Sequence, residues 1–159
     1  MQQVWFITGS SRGLGRALAG AALDAGDSVV ATARQPGQLA EFADRYGDRV
    51  LPLALDVTDA GAVRDAVAAG TGRFGRLDVV VNNAGYANVA PVETGDETDF
   101  RTQFETNFWG VYKRVQGGDP PAAGARRRDH RAVLLGWRAC GRLAGHRQLP
   151  GCQVRGRRV

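Results

Sequence analysis

The 159-residue sequence has only two cysteines, one lysine and three serines. Cys140 and Cys152 have neither the pairing of a disulfide framework nor the close spacing of a zinc site, so we expect free thiols and no metal centre. No segment approaches the run of about 18 apolar residues that a membrane span requires, and the first residues form no charged leader. These absences predict a cytoplasmic protein that does not associate with a membrane.

Charge and composition change near residue 116. Residues 1–116 carry 11 Lys and Arg against 14 Asp and Glu, whereas residues 117–159 carry 10 Arg against 2 Asp. Every serine, every tyrosine and the single lysine lie in the first part, and within the second part only Val133–Leu135 resembles a strand. A segment with so few large apolar side chains offsets little of its ordering entropy by burial. We therefore expect one folded unit over residues 1–116 and a poorly ordered basic tail over 117–159.

Within the first part, apolar runs alternate with helical repeats. Strand-like runs cover residues 3–7, 29–33, 50–55 and 77–81, and apolar residues at helical spacing separate them. Gly26 is placed to end the first helix, and a further helix is predicted between Phe104 and Val115. This order predicts an α/β fold, a Rossmann-like doubly wound parallel sheet that is truncated after about four strands.

A glycine-rich turn joins the first strand to the first helix. Its sequence is Thr8-Gly9-Ser10-Ser11-Arg12-Gly13-Leu14-Gly15. Glycines let such a turn close and let the backbone approach a pyrophosphate, while the helix that follows presents free N–H groups. Glycine turns are common, but here the strand, the turn and the helix stand in the required order. The segment therefore predicts a dinucleotide-binding loop.

Three further polar motifs stand at the ends of later elements. Asp56-Val57 follows the third strand, Asn82-Asn83-Ala84-Gly85 ends the fourth, and Asn107 lies in the following helix. Together with Thr-Gly-x-x-x-Gly-x-Gly at residues 8–15, this ordered set over residues 3–115 resembles the short-chain dehydrogenases and reductases.

The resemblance implies a coenzyme site and a reaction. It assigns coenzyme contacts to residues 8–15, to Asp56 and Val57 near the adenine, and to Asn83, Ala84 and Gly85, and it gives Asn107 a structural and catalytic role. Members of the family transfer hydride between a nicotinamide and a small-molecule carbonyl or alcohol. They are usually homo-oligomers in which the helix that here carries Phe108, Trp109 and Tyr112 pairs between subunits.

Arg34 bears on the choice of coenzyme. It ends the second strand, where NAD-binding proteins usually carry an acidic residue for the ribose 2′-hydroxyl. Arg34 and Arg12 could together bind the 2′-phosphate of NADP, because a guanidinium matches a phosphate in charge and shape. The alternative is a pair of solvated surface arginines. We expect NADP rather than NAD.

Several of these residues have simpler interpretations. Short polar side chains at strand and helix ends commonly cap backbone groups, which is the alternative for Asp56, Asn83 and Asn107 and could be the whole role of Asn82. The aromatic residues 108, 109 and 112 could form a ligand patch, but core or subunit interface is the more common use.

The proton-transfer residues of the family are missing. Members use a tyrosine with a lysine four residues later and a serine that orients the substrate oxygen. Here Tyr112 lies too early and has Gln116 four residues later. No serine follows it, and the single lysine, Lys113, is directly adjacent rather than four residues on. The chain as written is therefore expected to be inactive.

A one-base shift of reading frame between about Val115 and Ala125 would explain the loss. In the shifted frame, residues 133–136 (Val-Leu-Leu-Gly) permit Ser-Ser-Ser-Val, and residues 149–153 (Leu-Pro-Gly-Cys-Gln) permit Tyr-Pro-Ala-Ala-Lys. The genetic code constrains the shifted residues to different degrees. Gln153 must become Lys or Arg, whereas Leu149 becomes Tyr only if its codon ends in A. The family's Tyr-x-x-x-Lys then reappears.

Two other functions remain as alternatives. The chain could be a non-catalytic nucleotide-binding module, or, less favoured, a nucleic-acid binder that uses Arg126, Arg127 and Arg128 for phosphate contacts. The tail contains one aromatic residue, Trp137, and no recognisable nucleic-acid-binding fold. If the sheet stops after the fourth strand, residues 79–81 form an exposed apolar edge, so poor solubility is expected.

Overall fold

The computed structural model describes residues 2–88, 90–91, 93–117 and 131–134. Its centre is a parallel sheet with the spatial order β3-β2-β1-β4-β5. The strands are β1 (Val4–Ile7), β2 (Ser28–Ala33), β3 (Val50–Ala54), β4 (Val79–Asn82) and β5 (Arg131–Leu134). In the register, Ile7 pairs with Ala31 on one side and with Val81 on the other. The predicted parallel α/β sheet is therefore confirmed.

Five α-helices accompany the described strands. They are α1 (Gly13–Asp24), α2 (Ala40–Tyr46), α3 (Ala60–Phe74), α4 (Glu97–Phe104) and α5 (Gly110–Gly117). Short 3₁₀ turns at Pro36–Leu39 and Gly47–Arg49 flank α2, and a π-helical turn at Glu105–Trp109 joins α4 to α5. Gly26 follows the end of α1 at a φ of 91°, as predicted for a glycine that terminates a helix.

Both faces of the sheet are covered, as a doubly wound fold requires. Ile7 and Ala31 lie in one buried cluster with Leu23 of α1 and Phe42 of α2. Their sequence neighbours in the strands face the opposite layer, where another buried cluster comprises Val4, Phe6, Val30, Leu55, Val57, Val63, Ala66, Val67 and Leu77. This alternation explains the continuous apolar runs of β1 and β2, because a strand covered on both faces needs apolar residues at every position.

The fifth strand corrects one expectation about the sheet edge. Arg131–Leu134 pairs with β4 in parallel, with Val81 opposite Val133. The four expected strands come from residues 1–116, but β4 is not the edge, because a short segment after residue 117 provides its missing partner. The argument that an exposed β4 edge makes the chain poorly soluble therefore fails.

Several predictions concern residues outside the described ranges. These are the free thiols of Cys140 and Cys152, the basic cluster Arg126–Arg128, Trp137 and the segment 149–153 of the reading-frame hypothesis.

Candidate functional site

The site lies where the order of strands reverses. From β1 the chain winds outward to β2 and β3, then returns to β4 on the other side of β1. In doubly wound sheets a crevice forms at this point, outside the carboxyl ends of the two central strands. Thr8 directly follows β1, and Asn83 directly follows β4, so the residues selected from the sequence border this crevice.

Thr8 connects the ends of the two central strands. Its fully buried hydroxyl donates to the carbonyl oxygen of Val81, 3.2 Å away. The Oγ1 atom of Thr8 in turn accepts hydrogen bonds from the backbone N–H groups of Asn83 at 3.1 Å and Ala84 at 3.0 Å. One hydroxyl group thus fixes the backbone on both sides of the crevice.

Asn83 holds the glycine-rich turn against β4. Its side-chain Nδ2 donates to the carbonyl oxygens of Thr8 at 2.9 Å and Gly9 at 3.0 Å. A Cβ at Gly15 would lie 2.3 Å from both Asn83 Nδ2 and Gly9 O, and a Cβ at Gly9 would lie 2.9 Å from the Cα of Ala84. Gly9 also has a φ of 69°. The packing of the turn itself therefore requires glycine at both positions, whether or not a coenzyme is bound.

Ser10 has a structural role in the turn. Its hydroxyl donates to the carbonyl oxygen of Ile7 at 2.8 Å, and its backbone N–H donates to Thr32 O at 2.8 Å. Because the residue is fully buried, these bonds tie the turn to β1 and β2 rather than face the crevice.

The outer part of the turn is open. Ser11 is half-buried, whereas Arg12, Gly13 and Leu14 are exposed. Arg12 occupies the N-cap position of α1, and its side chain makes no capping hydrogen bond. A Cβ at Gly13, whose φ is 58°, would meet nothing within 4 Å. The N–H groups at the start of α1 thus adjoin open space, which fits the diphosphate of a dinucleotide.

Arg34 and Asp56 lie near each other at the ends of neighbouring strands. The exposed Arg34 forms no hydrogen bond or salt bridge with the described residues, and its charge helps to lower the pKa of Asp56. The main causes of that lowered pKa are hydrogen bonds to Asp56 Oδ1 from the backbone N–H of Thr58 at 2.9 Å and from its hydroxyl at 2.7 Å. Asp56 therefore stabilises its own loop and stays ionised beside an available guanidinium.

Val57 packs the loop of Asp56 against the start of α5. The residue is 6% exposed and packs against the start of α5, where a Cβ at Gly110 would lie 3.0 Å from Val57 Cγ2. A small residue at position 110 lets the helix approach the loop that carries Asp56.

Asn107 lies in the π-helical turn and holds the segment that follows Gly85. Its Oδ1 accepts a hydrogen bond from the backbone N–H of Tyr86 at 3.0 Å, and its Nδ2 donates to Tyr86 O at 2.7 Å. Wide helical turns of this type are frequent at functional sites. The side-chain amide therefore bonds the backbone, as the structural interpretation predicted, and the catalytic role of Asn107 stays a prediction.

Asn82 differs from its neighbour in sequence. The residue is 5% exposed, and neither Oδ1 nor Nδ2 has a hydrogen-bond partner among the described residues. The structure therefore supplies no capping bond for this side chain.

Sequence reasoning missed Gln103. Its Oε1 accepts from the backbone N–H of Asn88 at 3.1 Å, and its Nε2 donates to Asn88 O at 3.4 Å and to Asp99 Oδ2 at 3.2 Å. A single glutamine in a polar helical stretch carries no signal of such a contact.

The aromatic residues of α4, the π-helical turn and α5 are at the surface. Phe108, Trp109 and Tyr112 are 56%, 42% and 46% exposed, so they do not belong to the core of this chain. Phe100 and Phe104 are also exposed and contact each other, and Trp109 contacts both Phe108 and Tyr112.

A family model described as short chain dehydrogenase matches residues 3–121. The chain belongs to this family. The match covers the glycine-rich turn, the Asp56 loop, the Asn-Asn-Ala-Gly segment and Asn107, so the resemblance noted from the motifs is confirmed.

Individual relatives give the same result. The oxidoreductase BOA17 of Botryotinia fuckeliana is 59% identical over 112 residues, which are 70% of this chain and 41% of that protein. Among solved structures, a short-chain dehydrogenase from Streptomyces avermitilis is 39% identical with a TM-score of 0.71, over 75% of this chain and 43% of that one. An alcohol dehydrogenase from Thermococcus sibiricus, complexed with 5-hydroxy-NADP, is 33% identical with a TM-score of 0.68, over 74% and 52%. The chain thus spans about half or less of the length of these relatives.

Two further properties concern the described residues of this chain. Among them, no helix is long and apolar enough to cross a bilayer. In the same ranges, no group of three or more His, Cys, Asp or Glu is arranged to hold a metal ion.

Proposed function

We propose that the chain is the coenzyme-binding part of an NADP(H)-dependent oxidoreductase and that, as written, it binds NADPH without turnover. The observation that carries this proposal is the turn fixed by Asn83, Gly9 and Gly15 beside the uncapped start of α1. When bound, the coenzyme supplies hydride to a carbonyl or accepts it from an alcohol. In this chain, the N–H groups of residues 13–15 hold the diphosphate, and Asn83, Ala84 and Gly85 form the opposite wall of the crevice.

Arg34 supports NADP over NAD. Its guanidinium stands at the end of β2 without a hydrogen bond to any described residue, in the place where NAD-binding proteins usually carry a carboxylate. Arg12 is exposed in the neighbouring turn and offers a further positive charge. The Thermococcus relative was solved with an NADP derivative, which agrees with this preference. Charge-assisted bonds of this kind contribute about 1.5–3 kcal/mol each.

Coenzyme titration of the full chain tests the proposal. Fluorescence should show saturable NADPH binding, weaker NADH binding, and no coenzyme oxidation when carbonyl compounds are added. Arg34→Ala should weaken NADPH binding by roughly 10- to 150-fold and change NADH binding little. Arg64→Ala, which removes an exposed arginine on α3, is the matched control. Equal affinity of the unmodified chain for both coenzymes would exclude the NADP preference, and absence of binding would exclude the coenzyme site.

The absence of turnover follows from the residues after position 117. The family match ends at residue 121, inside the interval of Val115 to Ala125 where the reading-frame hypothesis places the shift. This agreement supports the hypothesis, and the shifted frame would restore the serine and the Tyr-x-x-x-Lys motif.

The exposed aromatic face supports self-association. A row of large rings on one side of α4 and α5 is apolar surface of the kind that marks protein interfaces. We therefore expect a homo-oligomer that buries this face, in agreement with the usual state of the family.

A further inference from the structure

Two side-chain amides on one helical face hold one short segment of the chain. Gln103 and Asn107 are four residues apart and so lie on the same side of the helix. Each amide pairs with both the N–H and the carbonyl of a single residue, Asn107 with Tyr86 and Gln103 with Asn88. The partners are two residues apart, so the amides bind alternate residues in the way that a neighbouring strand would.

The segment that these amides hold continues the chain directly from the crevice wall. Residues 86–88 directly follow Gly85 and leave the switch point between β1 and β4. On its other side, the same wall is fixed by the bonds of Asn83 and Ala84 to Thr8. Asn107 bonds Tyr86 at the near end of residues 86–88, and Gln103 bonds Asn88 at the far end. Without Gln103, no other described residue bonds Asn88 to α4, and residues 86–88 are held at Tyr86 alone.

We infer that Gln103 is a positioning residue for coenzyme binding, because its amide pairs with Asn88 and fixes residues 86–88 at the crevice. The inference rests on the proposed function. Gln103 does not touch the coenzyme in this account; it acts through the backbone of Asn88. A glutamine is required rather than a glutamate, since a carboxylate could accept from Asn88 N–H but could not donate to Asn88 O.

A structural alternative must be separated from this role. Gln103 also donates to Asp99 Oδ2 one turn earlier, and a bond within the helix would stabilise α4 without affecting the crevice. Asp99→Ala removes that bond and leaves the pairing with Asn88 in place. Gln103→Met keeps the length and the helix propensity of the side chain but removes every hydrogen bond.

The experiment compares these two variants in the full 159-residue chain. NADPH affinity is measured by fluorescence, exchange of the Asn88 amide by NMR, and stability by urea unfolding. Gln103→Met should bind NADPH about 5- to 150-fold more weakly, as expected for two neutral hydrogen bonds, and should accelerate exchange at Asn88 by a similar factor. Asp99→Ala should leave both values within about twofold of the unmodified chain.

Three other results of this experiment would overturn the inference. If Gln103→Met accelerates exchange at Asn88 while its NADPH affinity is unchanged, the amide holds the loop without serving the coenzyme. If Asp99→Ala weakens binding as much as Gln103→Met, the role lies within the helix. If both variants only lower the urea midpoint, Gln103 is structural. Absence of binding in the unmodified chain would remove the proposed function itself, an outcome that the unmodified chain alone reveals.

Discussion

The side-chain amide of Asn83 donates to the carbonyl oxygen of Gly9, 3.0 Å away. This bond joins two residues that are 74 positions apart in sequence and closes the turn after β1 onto the segment after β4. The same amide occupies the space that a side chain at Gly15 would need. The loop is therefore held in shape by its own chain before any coenzyme arrives.

The two adjacent asparagines should respond oppositely to leucine, which is similar to asparagine in shape. Asn83→Leu leaves the carbonyl groups of Thr8 and Gly9 without their donor and should lower the free energy of unfolding by about 1–3 kcal/mol. Asn82→Leu removes a buried amide that has no partner among the described residues, so the free energy of unfolding should stay constant or rise by about 1 kcal/mol. Urea unfolding measures both values. A large loss of stability in Asn82→Leu would mean that this amide is satisfied in solution.

Glycine should be required at position 15 but not at position 20 of the same helix. A Cβ at Gly15 would lie 2.3 Å from the carbonyl oxygen of Gly9, so Gly15→Ala must displace the turn and should abolish NADPH binding. At Gly20 the nearest atom would be Phe42 Cε1 at an ordinary 3.8 Å. Gly20→Ala should keep the affinity and stabilise the chain by about 0.5–1 kcal/mol, because alanine is the better helix former. Equal NADPH affinities of the two variants would contradict this account of the turn.

The strands β1–β4 and the glycine-rich turn were predictable because local patterns specify them. Apolar runs such as Val29–Ala33 and the turn residues 8–15 are contiguous in sequence. Helix α4 was not predicted, since its eight residues are polar apart from Phe100 and Phe104 and bury no residue. The Asn83–Gly9 bond could not be predicted either, because it depends on which strands become neighbours.

The bounds of β5 could be predicted only in part. Only Val133–Leu135 stood out from the sequence, and the observed strand, Arg131–Leu134, overlaps it but begins two residues earlier. Arg131 pairs with Val79 through the backbone, which is indifferent to the charge of the side chain. The low apolar content of residues 117–159 therefore did not reveal that four of them pair with β4 through the backbone.

The carboxyl group of Asp56 should titrate below its usual range. Hydrogen bonds from Thr58 lower its pKa in the folded chain, and the charge of Arg34 adds to the effect. A pKa that is lower in the folded state stabilises the fold above the unfolded pKa of about 3.9, and this contribution is lost as the pH falls through the folded value. Thr58→Val removes the hydroxyl donor, so the Asp56 pKa should rise towards its usual range and less stability should be lost on acidification.

NMR titration of the carboxyl carbons checks this prediction. Asp96 is an internal control, because its pKa is also lowered, here by the backbone N–H groups of Asp99 and Thr98 at the start of α4. Thr58→Val should leave the Asp96 pKa unchanged. An unchanged Asp56 pKa in that variant would show that the Thr58 hydroxyl bond is not formed in solution.

Self-association should depend on the exposed rings of α4 and α5. Phe108→Glu places a charge in the aromatic row and should shift the chain to a smaller species in analytical ultracentrifugation. Arg64→Glu changes the charge of an exposed residue on α3, outside the row of rings, and serves as the control. A monomer at all concentrations before substitution would exclude an oligomer built on this face.

The reading-frame hypothesis makes a prediction about the gene. The codon of Leu149 should end in A, because only a leucine codon with that last base yields tyrosine in the shifted frame. Nucleotide sequencing across codons 110 to 159 decides it. A Leu149 codon with any other last base would remove the recovered tyrosine, and a restored frame should yield a chain that oxidises NADPH with a carbonyl substrate.

The π-helical turn at Glu105–Trp109 has a geometric consequence for the whole α4–α5 rod. In an ordinary α-helix, a step of four residues overshoots one full rotation by about 40°, so side chains at that interval spiral around the axis. A turn closed by i→i+5 bonds is wider and falls short by a comparable amount. The drift is thereby offset within the turn, between Phe100 and Phe104 before it and Tyr112 after it, all of which are exposed. Deleting a single residue from 105–109 would therefore rotate Tyr112 and the rest of α5 about the helix axis relative to Phe100 and Phe104.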